Sequence, residues 1–262
     1  VPALGAVEIP TLPLEHENDR TCIELCCSAD SKIGAASLCA RACRRTRFTM
    51  RHDLTSPEGV ALALEAVGSA QLAHRGHLLL WIAIPCTGGC PWHRINKRHA
   101  SARLKIEENT KLFAKLWENC STIAEHAMRS GGAMIGIEWP QQCSYWSDSA
   151  VVRFLTKHGF EKTAYHGCMY GLTSRNTHTY DMPMKKSWTV ASNTRHLGLR
   201  LNKRCDGSHT HAVVKGVDAK LSEAYTDEIV DNIHMAFLAF SFEKIRTSST
   251  CRTCSSMWRF PS

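Results

Sequence analysis

Short apolar runs alternate along this chain with longer stretches whose apolar residues recur at helical spacing. Thr21 to Cys27 is a compact apolar run ending in small residues, and Ser31 to Ala42 has helix-compatible composition, so the pattern predicts strand, turn, helix. A second strand is expected over Arg45 to Met50. Thr55-Ser56-Pro57-Glu58 then combines a hydroxyl cap, a first-turn proline and an acid beside the helix dipole, which starts a helix expected to reach about Val67. His77 to Ile84 is apolar on both faces, as a central strand is, and it stops at Pro85. Leu112, Phe113, Leu116, Trp117, Ile123 and Ala127 give Ile106 to Met128 the stripe of a long amphipathic helix, closed by Gly131-Gly132. Ala133 to Ile137 reads as another buried strand with Glu138 at its tip, and Ser149 to Lys157 as a helix before the Gly159-Phe160 turn.

Such alternation predicts an α/β fold, a mostly parallel sheet with helices on both faces, in which ligands lie beyond the carboxyl ends of the strands. After Gly171 the pattern loosens. Ser187 to Ala191 is a candidate strand, and Ala219 to Phe240 contains a further helix carrying Ile229, Ile233, Ala236 and Phe237. Residues 1–20 hold three prolines between Pro2 and Pro13 and read as an extended leader, suited to lie on a polyprotein or assembly neighbour. One α/β domain is expected over 21–245, and residues 246–262, rich in Ser, Thr, Cys and Arg, as a disordered tail.

The 262 residues are 44% apolar, enough for an ordinary core, and no apolar run is long enough to cross a membrane. The net charge of +8, with 14 histidines besides, favours polyanionic partners such as nucleic acid. Thirteen cysteines form an odd set scattered through strand-like segments, which points to free thiols in a reducing, intracellular compartment rather than to a disulfide framework.

Two strand ends carry the sharpest chemistry: Pro85-Cys86-Thr87-Gly88-Gly89-Cys90-Pro91-Trp92 and Gly136-Ile137-Glu138-Trp139-Pro140. Both should open on one edge of the sheet. The order of elements resembles the DNA cytosine methyltransferases, in which a Pro-Cys nucleophile follows the fourth strand and a Glu the fifth. The resemblance implies a Rossmann-like fold of methyltransferase type, S-adenosylmethionine as cofactor, and a nucleic-acid base as substrate. It would make Cys86 the nucleophile and Glu138 the group on the ring nitrogen, with Lys185 or Lys186 standing where that family keeps a basic pair. A thiolate is a strong nucleophile and an adjacent acid can protonate the ring during attack, on a base already out of its stack. The span from Ile23 to about Phe237 is also similar to domains within retrotransposon-type polyproteins of dinoflagellates, through Ile-Glu-Leu-Cys-Cys-Ser, Pro-Cys-Thr-Gly-Gly-Cys-Pro-Trp, Ile-Glu-Trp-Pro, Gly-Cys-Met-Tyr-Gly-Leu and Cys205 to His211.

The turn after the first strand departs from a cofactor loop, because Glu24 to Ile33 contains no glycine before Gly34. Cofactor contacts would therefore fall to Glu24, Cys26, Cys27, Asp30, Asp53 and Pro85. A non-catalytic module that binds nucleic acid or a polyprotein partner is the rival reading. In either case Arg94, Lys97 and Arg98 directly follow the Cys86 turn and suit phosphates, while Trp92 offers a stacking face. Finally, Cys205-Asp206-Gly207-Ser208-His209-Thr210-His211 sets two histidines on one side of an extended segment close to a cysteine. With Cys168 or Cys143 as the fourth ligand, Cys205, His209 and His211 are candidates for zinc.

Overall fold

The computed structural model describes residues 20–34, 43–73, 77–90, 100–129 and 132–254. Six strands form one mixed, mostly parallel sheet: β1 (Arg20–Leu25), β2 (Cys43–Phe48), β3 (Leu78–Ile82), β4 (Ala133–Pro140), β5 (Glu161–His166) and β6 (Ser187–Ser192). The helices are α1 (Pro57–Ala73), α2 (Ala100–Arg129), α3 (Ser149–Lys157), α4 (Arg195–Arg200), α5 (Val217–Leu221) and α6 (Asp227–Cys254). The spatial order is β2-β1-β3-β4-β6-β5. The first four strands pair in parallel, and β6 runs antiparallel between β4 and β5. The chain steps outward from β1 to β2 and then returns to place β3 on the other side of β1, which creates a switch point between the carboxyl ends of β1 and β3.

Each central strand feeds two cores, because successive side chains point to opposite faces. Leu78, Leu80 and Ile82 of β3 pack with Ile135 and Ile137 of β4 against Ala63 and Val67 of α1, Phe113 and Trp117 of α2, and Val151 and Phe154 of α3. Leu79 and Trp81 join Met134 on the opposite face, under Leu197 of α4 and Ile229, Ile233 and Phe237 of α6. This two-sided burial is why β3 reads as an unbroken apolar run. Among the described residues no helix is long and apolar enough to cross a membrane.

The structure differs from the sequence pattern in several places. β5 lies in Glu161–His166, a polar stretch with only two buried positions, because an edge strand needs a partner on one side alone. Glu138 sits inside β4 rather than at its tip, since the antiparallel ladder to β6 prolongs the strand to Pro140. The helix expected within 219–240 is α6, preceded by the short α5, and it continues to Cys254, into the stretch read as a tail. Residues 1–19, nearly all of the leader, and 35–42 of the first expected helix lie outside the described residues, as do 255–262.

Gly136 is the tightest point of the central ladder. It pairs with Trp81, and a Cβ there would meet the indole Cε3 at 2.5 Å and Leu197 Cδ1 at 3.1 Å. Gly136→Ala must therefore push a fully buried tryptophan off its seat, and it should cost about 1–3 kcal/mol. Urea unfolding checks this: the midpoint falls while the slope stays constant, and an unchanged midpoint refutes the close packing.

Candidate functional site at the carboxyl end of β3 and β4

Glu138 and Trp81 project from the same face of the sheet, two residues out of register across the parallel β3–β4 ladder. Glu138 is only 7% exposed. Its Oε2 accepts from the Tyr225 hydroxyl, which in turn accepts from Trp81 Nε1–H at 3.2 Å. Its other oxygen, Oε1, is buried without a partner among the described residues. Burial pushes the Glu138 pKa up to about 7, against the opposing pull of the Tyr225 hydrogen bond and the Lys186 charge. Both protonation forms are thus populated at neutral pH.

Cys86 occupies a 3-10 turn, Cys86–Gly88, directly after β3. The turn is held by Gly88 N–H donating to Tyr145 Oη at 2.9 Å and by Ser144 N–H donating to the Gly89 carbonyl at 2.9 Å. Its glycines serve packing: a Cβ on Gly88 would lie 2.6 Å from Tyr145 Oη, and one on Gly89 would lie 2.6 Å from Cys143 Sγ. Burial, then the neighbouring Cys90 and Glu138, push the Cys86 pKa up to about 11, with Lys186 opposing. At neutral pH Cys86 is therefore a thiol and not a standing thiolate. Lys186 donates to the Ser222 carbonyl and lies over the Trp188 ring at 5.1 Å, and its pKa is lowered by burial, with Glu138 opposing. Cys86, Glu138 and Lys186 thus share one electrostatic neighbourhood, whereas Lys185 is exposed.

Among the described residues, most of those assigned to a cofactor already have partners. Glu24 is buried, with Oε2 taken by Ser31 Oγ at 2.5 Å and Oε1 by Arg47 Nε at 3.4 Å. Cys27 Sγ contacts the carbonyls of Glu24 and Phe48, and Cys26, at a φ of 60°, turns its thiol to within 3.9 Å of Cys120 Sγ. Asp53 accepts from Thr55 N–H at 3.0 Å and Thr55 Oγ1 at 2.6 Å, as a turn-forming acid does, while Asp30 and Pro85 are exposed. Glu24, Cys26, Cys27 and Asp53 thus have partners within the protein, while Asp30 and Pro85 face solvent. Two open clefts lie elsewhere, one of about 560 Å³ beside Phe113, Glu125 and Arg153, the other of about 320 Å³ beside His196 and Glu243.

Trp92, Arg94, Lys97 and Arg98 lie outside the described residues. Trp139, Tyr145 and Trp146 form an aromatic cluster with Phe113 in the core, from which the Tyr145 hydroxyl braces the Cys86 turn. Cys168, Cys205, His209 and His211 are brought together, with one donor atom from each within 4.8 Å of the others. Cys143, the other candidate fourth ligand, instead packs under Gly89 in the first core. Comparison with protein-family models, curated proteins and solved structures finds no match to this chain. Tyr225 and Ser222 escape a sequence reading altogether, and Trp81 reads only as part of a buried strand, because their roles exist only once α5 and its flanks fold over the sheet.

The raised Glu138 pKa carries a stability signature. Between about 4.5 and about 7 the unfolded carboxyl has lost its proton while the folded one retains it, so stability falls as pH rises through this window and levels off above it. The contribution is of the order of 3 kcal/mol. Denaturant unfolding of Glu138→Gln beside the parent should show the variant gaining relative stability from pH 5 to 7 and nothing further to pH 8. Parallel curves would contradict the buried, proton-sharing carboxyl.

Proposed function

We propose that this chain is a Rossmann-like module of methyltransferase type that receives a nucleic-acid base beside Cys86 and Glu138 and transfers no methyl group. The observation that carries the reading is the unpartnered, buried Oε1 of Glu138, set in the same neighbourhood as Cys86 and Lys186. A carboxyl that shares its proton near pH 7 can either donate to a ring nitrogen or accept from an exocyclic amino group of an inserted base. The strand order supports the architecture, since its switch point and the Cys86 and Glu138 strand ends share one edge, as in open nucleotide-binding sheets. One departure from the DNA cytosine methyltransferases is that Cys86 follows the third strand of the described chain and Glu138 lies in the fourth. Long-range affinity would come from the positive charge, which includes the exposed Arg44, Arg45 and Arg51 on and after β2.

The commitment of Glu24 to Ser31 and Arg47 supports the non-catalytic reading. The rival, a nucleic-acid cytosine methyltransferase, is favoured by a Glu138 pKa near neutrality beside a cysteine, the pairing that protonation during thiol attack requires.

Fluorescence anisotropy with labelled single-stranded oligonucleotides tests the reading. Binding should weaken with salt, and Glu138→Ala should weaken it about tenfold, the effect of one charge-assisted hydrogen bond. Calorimetric titration with S-adenosylmethionine should give no heat. Equal affinity of parent and variant would overturn the base site, and labelled methyl groups appearing on the oligonucleotide would replace the proposal with the enzymatic rival.

A further inference from the structure

We propose that Cys168, Cys205, His209 and His211 bind a single zinc ion that clips the segment after α4 to the end of edge strand β5. The four donors come from two stretches separated by β6 and α4, and they lie within 4.8 Å of one another. Cys205 Sγ is 3.4 Å from His211 Nε2 and 3.7 Å from His209 Nε2. Tetrahedral zinc with its usual bond lengths to sulfur and nitrogen separates such atoms by about 3.6 Å, so the spacing already matches the ion.

The surrounding backbone explains how the chain reaches this arrangement. His166 N–H donates to the Lys203 carbonyl at 3.1 Å, and Cys205 N–H donates to His166 Nδ1 at 2.9 Å, which fastens residues 203–205 along the end of β5. Cys168 lies in the turn that follows. Gly207, at a φ of 87°, then reverses the chain so that His209 and His211 come back over Cys205. Its N–H donates to Cys205 Sγ at 3.3 Å, the kind of outer hydrogen bond that steadies a thiolate ligand.

Ligand chemistry selects zinc among common divalent ions. Two sulfurs and two imidazoles form a closed tetrahedral set, unsuited to calcium or magnesium, which take oxygen donors. On binding, the ion replaces the thiol protons of Cys168 and Cys205, so two protons leave to solvent and the site becomes neutral. With four protein ligands no position remains for water or substrate, so the ion is structural. Its reach extends beyond the ligands: Ala212 N–H pairs with the Pro183 carbonyl, and the chain then runs to α5 and Tyr225, which covers Glu138.

The test uses the full chain purified under a non-chelating reductant. Elemental analysis should find one zinc per chain, and replacement by cobalt(II) should give the visible absorption of a tetrahedral ion with thiolate charge-transfer bands. Both should vanish in His211→Ala and persist in Cys90→Ser. If His211→Ala fails to fold, the cobalt spectrum of the parent chain decides by itself. A parent chain that holds no zinc after growth in zinc-supplemented medium and gives no charge-transfer bands with cobalt overturns the proposal, as does full zinc content in a folded His211→Ala.

Discussion

A carboxyl group buried inside β4, two residues before the strand ends, governs the arrangement of this molecule. Glu138 cannot be solvated, so its neighbours must supply what water would. Tyr225 gives one hydrogen bond, Trp81 orients Tyr225, and Lys186 supplies compensating charge while its ammonium is itself held by Ser222. These groups come from β3, β4, the residue before β6, and the link between α5 and α6. Satisfying one carboxyl therefore fixes how the C-terminal part of the chain closes over the sheet edge. Among the described residues the remaining oxygen of Glu138 is left without a partner, at the very group the others converge on.

The opposite flank of the switch point is governed by the same electrostatics with another outcome. Glu24 is as deeply buried as Glu138, but Ser31 and Arg47 satisfy both of its oxygens, and Gly34 is needed because a Cβ there would press on the guanidinium and the carboxylate. A loop stitched in this way has no reason to open for a nucleotide cofactor. The contrast between a sealed acid at β1 and an unsealed one at β4 underlies the reading of the protein as a base-receiving module rather than a methyl-transferring one.

Much of the fold was legible because burial on two faces leaves a strong mark on sequence. The β3 run, the α2 stripe and the α3 boundaries follow directly from apolar spacing and from the Asp148 side chain, which caps Ala150 and Val151 N–H. β5 was not legible, since an edge strand of Glu, Lys, Thr and His carries little apolar signal. The juxtaposition of Cys86 with Glu138 follows from strand ends in a parallel sheet, and the convergence of His209 and His211 on Cys205 from short-range spacing. Tyr225 and Ser222 were hidden, because their partners lie 87 and 36 residues away and nothing local marks them.

The most direct test of the central claim is photocrosslinking to a single-stranded oligonucleotide carrying a photoreactive pyrimidine, with attachment sites mapped by peptide mass spectrometry. The account predicts adducts on Cys86, Tyr225 or Trp81, lost when a large residue replaces Cys86. Adducts confined to the Arg44–Arg51 surface, with none on these side chains, would show that the chain binds nucleic acid by charge alone and would contradict a base-receiving site at Glu138.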